Sequence, residues 1–230
     1  MSGGSRFDVA VVGSGFGGAI LARALAAAGR RVLVLERQRH PRFALGESAT
    51  PLAAIALERL AERPGLADLA GLAAAGRWRR ELPGLRHGVK RGFTFYGHRP
   101  GEPFDPGADN ARRLLVAASP DGEVADSHWL RADLDAWLAA RAREAGAELW
   151  EGAEVTAVEV DDGTERGGVG LGGRRDGEPF AAAADFLIDA SGPGGLARLL
   201  GVAARPDPPP DTALLFAHCA ACAAARRARL

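Results

Sequence analysis

Three glycines, Gly13, Gly15 and Gly18, stand in the run GSGFGG between a short apolar segment and a helix-forming one. Each position suits a residue without a Cβ: the first for a tight turn, the second for close approach of a diphosphate, the third for helix–strand packing. Phe16 and Gly17 complete the turn, and the unpaired N–H groups at the start of the helix would hold the anion. Glu36 closes the next apolar run, RVLVLE, 23 residues after Gly13, with Arg37 following it. A carboxylate there accepts hydrogen bonds from a ribose diol and repels a 2′-phosphate. These residues predict a dinucleotide site without choosing between a flavin and a nicotinamide.

Two further features could carry chemistry. HPRFALGESATP, residues 40–51, places Gly46, Glu47 and Ser48 between two prolines. It reads as a buried polar loop that leads into a helix. Ser48 offers a hydroxyl and a helix N-cap, and Pro51 suits the first helical turn. Lys90 is the only lysine in the chain and precedes Phe93 and Phe95 in VKRGFTF. Taken alone it reads as a solvated strand residue beside Arg91. Cys219 and Cys222 form C-x-x-C in an Ala-rich tail with no second ligand pair, and the histidines lack metal-ligand spacing, so no metal is expected.

The elements that would position these groups are an apolar strand at 7–12, a helix at 17–28 stopped by Gly29, and a strand at 31–36. Together they make a right-handed βαβ unit. Helices are predicted at 50–62 and about 66–75, then strands in GFTFYGH and RRLLVAAS joined by a Pro/Gly-rich link. RADLDAWLAARAREA, 131–145, has the helical period, with Leu130, Leu134, Trp137 and Leu138 on one face. AELWE reads as a third parallel strand, EVTAVEV as one arm of a hairpin turning at Asp162-Gly163, and DFLIDASG as a strand running into a glycine turn and a helix at 194–200. RPDPPPD is a stiff connector, TALLFAH the start of a strand, and CAACAAARRARL low-complexity. The expected chain therefore ends on an unfinished sheet.

The bulk numbers bound the class. The 230 residues are 47% apolar and 25% charged with zero formal net charge, which gives nucleic-acid binding no support. No signal peptide is expected from the opening residues, no apolar stretch is long enough to span a bilayer, and two cysteines make no disulfide framework. A cytoplasmic protein is expected.

ERQRHPRFALGESATP resembles the segment after the second strand in flavin-dependent halogenases and their relatives, the geranylgeranyl reductases and class A flavoprotein monooxygenases. Three more matches follow in family order: HWLRADLDAWL, EVTAVEV and LIDASGPGG. The resemblance implies an α/β fold: a Rossmann-like FAD-binding domain of the glutathione-reductase type, with a β-meander crossover and the start of a second, incomplete substrate-domain sheet. It implies an FAD-binding domain over 6–204 with inserted substrate-layer strands at about 85–130, and a connector and tail over 205–230. It implies FAD as cofactor, held by Glu36 at the ribose, Gly46, Glu47 and Ser48 beside the isoalloxazine, and Arg131 at the phosphates. Val155 would lie beside the adenine, with Asp189, Ala190 and Gly192 over the dinucleotide. It also implies catalysis at Lys90, with reduced FAD and O2 oxidising halide to halogenate an electron-rich aromatic or pyrrole-type substrate, small or carrier-bound. A separate flavin reductase would supply the reduced FAD. The sequence departs from the family in lacking W-x-W-x-I-P and any Gly-Asp dipeptide, which implies that a C-terminal third or more is missing. Hydroxylation, prenyl-chain reduction and an inactive FAD-binding fragment remain alternatives.

Overall fold

The computed structural model describes residues 6–117, 119–161, 167–192, 195–202 and 213–215. The opening βαβ unit forms where its apolar pattern places it: β1 Arg6–Val12, α1 Phe16–Ala27 and β2 Val32–Glu36. Alternate residues of both strands are buried on opposite faces, as a covered parallel sheet requires. Val9, Val11, Val32 and Val34 pack with Ala22 and Ala26 of α1. Ala10, Val12, Leu33 and Leu35 pack on the other face with Ala153, Leu171 and Leu196.

After β2 the chain passes through the 40–50 loop into α2 Pro51–Ala61, a 3-10 turn over Ala67–Leu72 and α3 Ala75–Glu81. The helix expected at about 66–75 is thus two elements, because Ala74 takes an extended conformation between them. The N-cap of α2 is Thr50, whose hydroxyl accepts from the backbone N–H of Ala53. Ser48, expected to cap this helix, lies two residues too early for it and bridges to His128 instead. Leu66, Leu69, Leu72 and Trp78 are fully buried beneath α1, and the Trp78 indole N–H donates to Leu85 O.

Two small ribbons follow. β3 His87–Lys90 pairs antiparallel with β6 Asp126–Trp129, and β4 Gly92–Tyr96 pairs with β5 Arg113–Ala117. The segment VKRGFTF is therefore broken at Arg91, with Lys90 in one ribbon and Phe93 in the other. α4 Arg131–Glu144 then packs on α1, and β7 Glu148–Glu151 joins β2 in parallel.

The meander consists of β8 Ala153–Asp161, β9 Gly168–Arg175 and β10 Glu178–Asp189, ending in the short helix α5 Leu196–Leu199. The turn at Asp162-Gly163 lies outside the described residues. The β9–β10 turn is Asp176-Gly177, both with positive φ, as a two-residue hairpin of primed type needs. β10 pairs antiparallel with β9 along its first part and parallel with β1 along its second. One six-stranded sheet results, in the order β7-β2-β1-β10-β9-β8. Residues 213–215 are not in a strand, unlike the TALLFAH expectation; the rest of that segment, and the connector and tail at 203–212 and 216–230, lie outside the described residues.

Packing at the glycine turn makes opposite predictions for neighbouring positions. A Cβ on Gly18 would drive into the carbonyl oxygen of Gly13, whereas one on Gly17 would meet nothing within 4 Å. Gly18→Ala is expected to lower stability by about 1–3 kcal/mol or more. Gly17→Ala should leave stability unchanged or raise it by up to about 1 kcal/mol. Urea midpoints of the two variants check both signs.

Candidate functional site

Parallel strands joined by crossovers leave a crevice beyond their carboxyl ends, and ligands of such sheets bind there. Here β1, β2 and β10 end around a cleft of about 740 Å3. The floor is backbone. Gly13, at φ +101°, donates its N–H to Leu35 O, and Ala190 donates to Val12 O, each at 2.8 Å. A Cβ on Gly13 would collide with the backbone of Ala190. Only glycine lets these two strand ends close under the cleft.

Glu36 forms one wall. Its side chain is 6% exposed, and its Oε2 accepts from Ser14 N, Ser14 Oγ and Arg42 Nη2, each at 3.0 Å. Oε1 accepts from Gln38 N, also at 3.0 Å. Burial pushes the carboxyl up, but the hydrogen bonds from Gln38 and Ser14 and the Arg42 guanidinium outweigh it and hold Glu36 below the usual range. Beside it, His40 Nε2 lies 2.7 Å from Ser14 Oγ, and His40 N donates to Glu151 Oε1.

The opposite wall comes from α4. Arg131 forms a bidentate pair with Asp135, at 2.8 and 2.9 Å, and donates from Nη1 to Leu45 O at 2.7 Å and Gly46 O at 3.3 Å. Asp135, fully buried, also meets Arg42 at 3.4 Å. Glu36, Arg42, Asp135 and Arg131 thus alternate in sign along a buried line. The guanidinium groups of Arg42 and Arg131 come within 3.5 and 3.7 Å of where a Gly15 Cβ would sit. Two cations over the glycine turn, one carboxylate with a lightly loaded oxygen, and a backbone floor fit a dinucleotide of the FAD type.

Of the residues singled out in the sequence, Gly13, Gly15, Glu36, Arg37, Arg131, Val155, Ala190 and Gly192 line this cleft. The others lie outside its lining. Phe16 stacks on Trp129 at 4.6 Å between ring centres, and Gly17 and Gly18 lie in the first turn of α1. Gly46 and Ser48 are exposed and Glu47 half-buried, so the loop is not the buried polar wedge that its sequence implies. It runs as an extra strand along β6: Trp129 N donates to Glu47 O, and Ala49 N to Ser127 O. The part of this loop that reaches the cleft is its earlier half, Arg42 to Leu45. Asp189 accepts from Ser191 N and Leu196 N, shaping the turn before α5.

Lys90 is buried at 7% exposure, which excludes the solvated-strand alternative. Its ammonium donates to Ala49 O and lies 5.3 Å from the centre of the Phe93 ring. Its cross-strand partner is Asp126, also buried. Burial raises the Asp126 carboxyl above its usual range, against the opposing pull of Lys90. Arg42 and Asp135 were not singled out in the sequence. Arg42 carries no motif, and Asp135 shows only the i, i+4 spacing to Arg131 that many exposed helical pairs share. No group of three or more potential ligand side chains could hold a metal ion among the described residues, and no helix among them is long and apolar enough to cross a membrane.

Residues 8–217 match the family described as FAD dependent oxidoreductase. The chain is 34% identical over 205 residues to tetracycline 7-halogenase of Kitasatospora aureofaciens, covering 89% of this chain and 35% of that protein. It is 31% identical over 189 residues to monodechloroaminopyrrolnitrin halogenase PrnC of Pseudomonas fluorescens, covering 82% of this chain and 31% of that one. Protein FixC of Salmonella typhi is also 31% identical, over 86% of this chain and 40% of its own length. Among solved structures, halogenase PltM in complex with phloroglucinol and FAD superposes with a TM-score of 0.71 at 30% identity, over 85% of this chain and 36% of that one. The chain thus spans 31–40% of the length of these curated relatives.

The buried charges yield two predictions. Asp135→Ala leaves the buried Arg131 without a carboxylate and Arg42 with Glu36 alone, and should cost about 3–5 kcal/mol. Arg39→Ala, which removes an ion pair to Asp176 between exposed side chains, should cost no more than about 1 kcal/mol. Urea denaturation of both variants separates them. Acid should also weaken the fold in two stages. Burial is the chief cause holding His40 and His128 below their ordinary value of 6.5, so as pH falls past 6.5 the unfolded chain takes up protons that the folded one refuses. Below 4.5, protonation of the unfolded chain opposes Glu36, whose stabilisation is lost as pH falls through its lowered folded value. Melting temperature against pH should show both stages, with the upper one reduced in His40→Leu.

Proposed function

This chain belongs to the FAD-dependent oxidoreductase family, and on that footing we propose that it is the flavin-binding part of a halogenase-like enzyme. The observation that carries the reading is the cleft itself: a carboxylate at the end of β2 facing two guanidinium groups over a glycine turn, in a chain whose relatives include named halogenases. FAD, when bound, would supply two-electron chemistry with O2. Glu36 would accept hydrogen bonds from the ribose diol. Gly13, Gly15 and the amino end of α1 would take the diphosphate, with Arg42 and Arg131 as counter-charges. Val155 would offer backbone to the adenine, and Ala190 and Gly192 would close over the dinucleotide.

Residues 6–204 would form the FAD-binding domain, with the ribbons of β3 to β6 as a substrate layer inserted at about 85–130. Lys90 would carry the oxidised halogen to an electron-rich aromatic or pyrrole-type substrate, free or carrier-bound. Halide and a separate flavin reductase would be the other partners. Hydroxylation or reduction on the same fold is the second reading. It is supported by a match to a relative, FixC, that is not named as a halogenase, and by the engagement of Lys90 with Ala49 O, which would have to break before the ammonium could reach a substrate.

Titration of the chain with FAD, followed by flavin fluorescence, should show binding that Glu36→Ala weakens about 10- to 100-fold, from lost hydrogen bonds to a charged acceptor. With reductase, O2, chloride and phloroglucinol as probe, chlorinated product should appear. Lys90→Ala should abolish it without altering FAD affinity. Oxygenated product formed without halide would favour the second reading, and a chain that ignores FAD would overturn both.

A further inference from the structure

We propose that His40 is a positioning residue for the nucleotide site, acting through the Ser14 hydroxyl to fix the orientation of the Glu36 carboxylate. The inference rests on the reading of Glu36 as the ribose ligand and extends it to a group outside the cleft lining.

The argument is one of counting protons. A carboxylate only accepts, so the 3.0 Å contact between Ser14 Oγ and Glu36 Oε2 uses the single hydroxyl proton of Ser14. The 2.7 Å contact from His40 Nε2 to the same oxygen must then be donated by the imidazole. That fixes the tautomer, with hydrogen on Nε2 and none on Nδ1. Nδ1 is buried and has no hydrogen-bond partner among the described residues, so a proton placed there would find no acceptor. The main chain that carries the ring is anchored as well, because the backbone N–H of His40 donates to Glu151 Oε1 at 2.7 Å.

The chain His40 → Ser14 → Glu36 has a directional effect. Together with Ser14 N and Arg42 it loads Oε2 with three donors, while Oε1 accepts only from Gln38 N. The carboxylate is pinned by one oxygen, and the other keeps lone-pair capacity for a diol. Without His40, the Ser14 hydroxyl loses the donor that orients it and Glu36 gains rotational freedom. The groups acting on the His40 ring are mixed in sign: Arg42 opposes its protonation, and Glu36, Glu151 and Asp135 favour it. Burial dominates and keeps the ring neutral.

The test uses the whole chain at pH 8, with ADP and 2′,3′-dideoxy-ADP as probes. The wild type should prefer ADP, and Glu36→Ala, which removes the acceptor, should abolish most of that preference. His40→Leu should narrow it about fivefold, the share of one hydrogen bond, and Ser14→Ala should do the same. His40→Gln, whose amide N–H can replace the Nε2 donor, should restore the preference. A merely structural role for His40 would weaken both probes equally and leave their ratio unchanged. If Glu36→Ala removes the preference while His40→Leu and Ser14→Ala retain it, the positioning role is overturned and the ribose assignment stands. If Glu36→Ala retains it, the ribose assignment itself is wrong.

Discussion

Four buried or nearly buried charges of alternating sign, Glu36, Arg42, Asp135 and Arg131, join three parts of the chain that are far apart in sequence. Glu36 ends a strand, Arg42 lies in the loop that follows it, and Asp135 and Arg131 belong to a helix some ninety residues later. Removing such groups from water is costly, and their mutual attraction compensates only when each is fully paired. That makes the line an all-or-none device: with every member present it is tolerable, and with one missing a bare charge is left inside. It stabilises the fold little compared with apolar residues of the same volume, but it specifies strongly where the loop and helix must sit.

The same line also sets the character of the cleft. Its two guanidinium groups are matched one for one by carboxylates, so the site is not a strongly positive sink, and an arriving diphosphate would share cations with Glu36 and Asp135. The first turn of α1 adds oriented N–H groups. Oriented dipoles below and partly committed charges above suit a cofactor bound by many modest contacts. Lys90 lies elsewhere, on the ribbons, where its hydrogen bond to Ala49 O ties it to the same loop.

How much of this was legible in the sequence depends on whether a feature is local. The β1–α1–β2 unit was readable because periodicity, glycine spacing and the terminal acid all act within thirty residues. β7, α4 and the strand ending at Asp189 were readable for similar reasons. HGVK and DSHW were not, because four residues of mixed polarity carry no period, and their pairing is decided by each other and by the 47–49 segment. The Asp176-Gly177 turn is as local a signal as the neighbouring Asp162-Gly163, since both are Asp-Gly pairs suited to positive φ. Asp135 and Arg42 were hidden for a deeper reason: a charge flanked by leucine or proline looks solvated until the partner that neutralises it is known. Lys90 shows the converse, since its frame was visible but its burial depended on the loop folding over it.

β10 serves two neighbours with opposite demands. Its first half is registered against β9 and its second half against β1, with Ala183 and Ala184 common to both pairings. Adding or deleting one residue between 183 and 189 would turn every side chain beyond it to the other face and move the Ala190–Gly192 turn by a residue's rise. The same change near Asp176-Gly177 would be absorbed by the hairpin end. Among descendants of this sequence, length variation should therefore collect at the outer tip of the meander and be absent from its inner half.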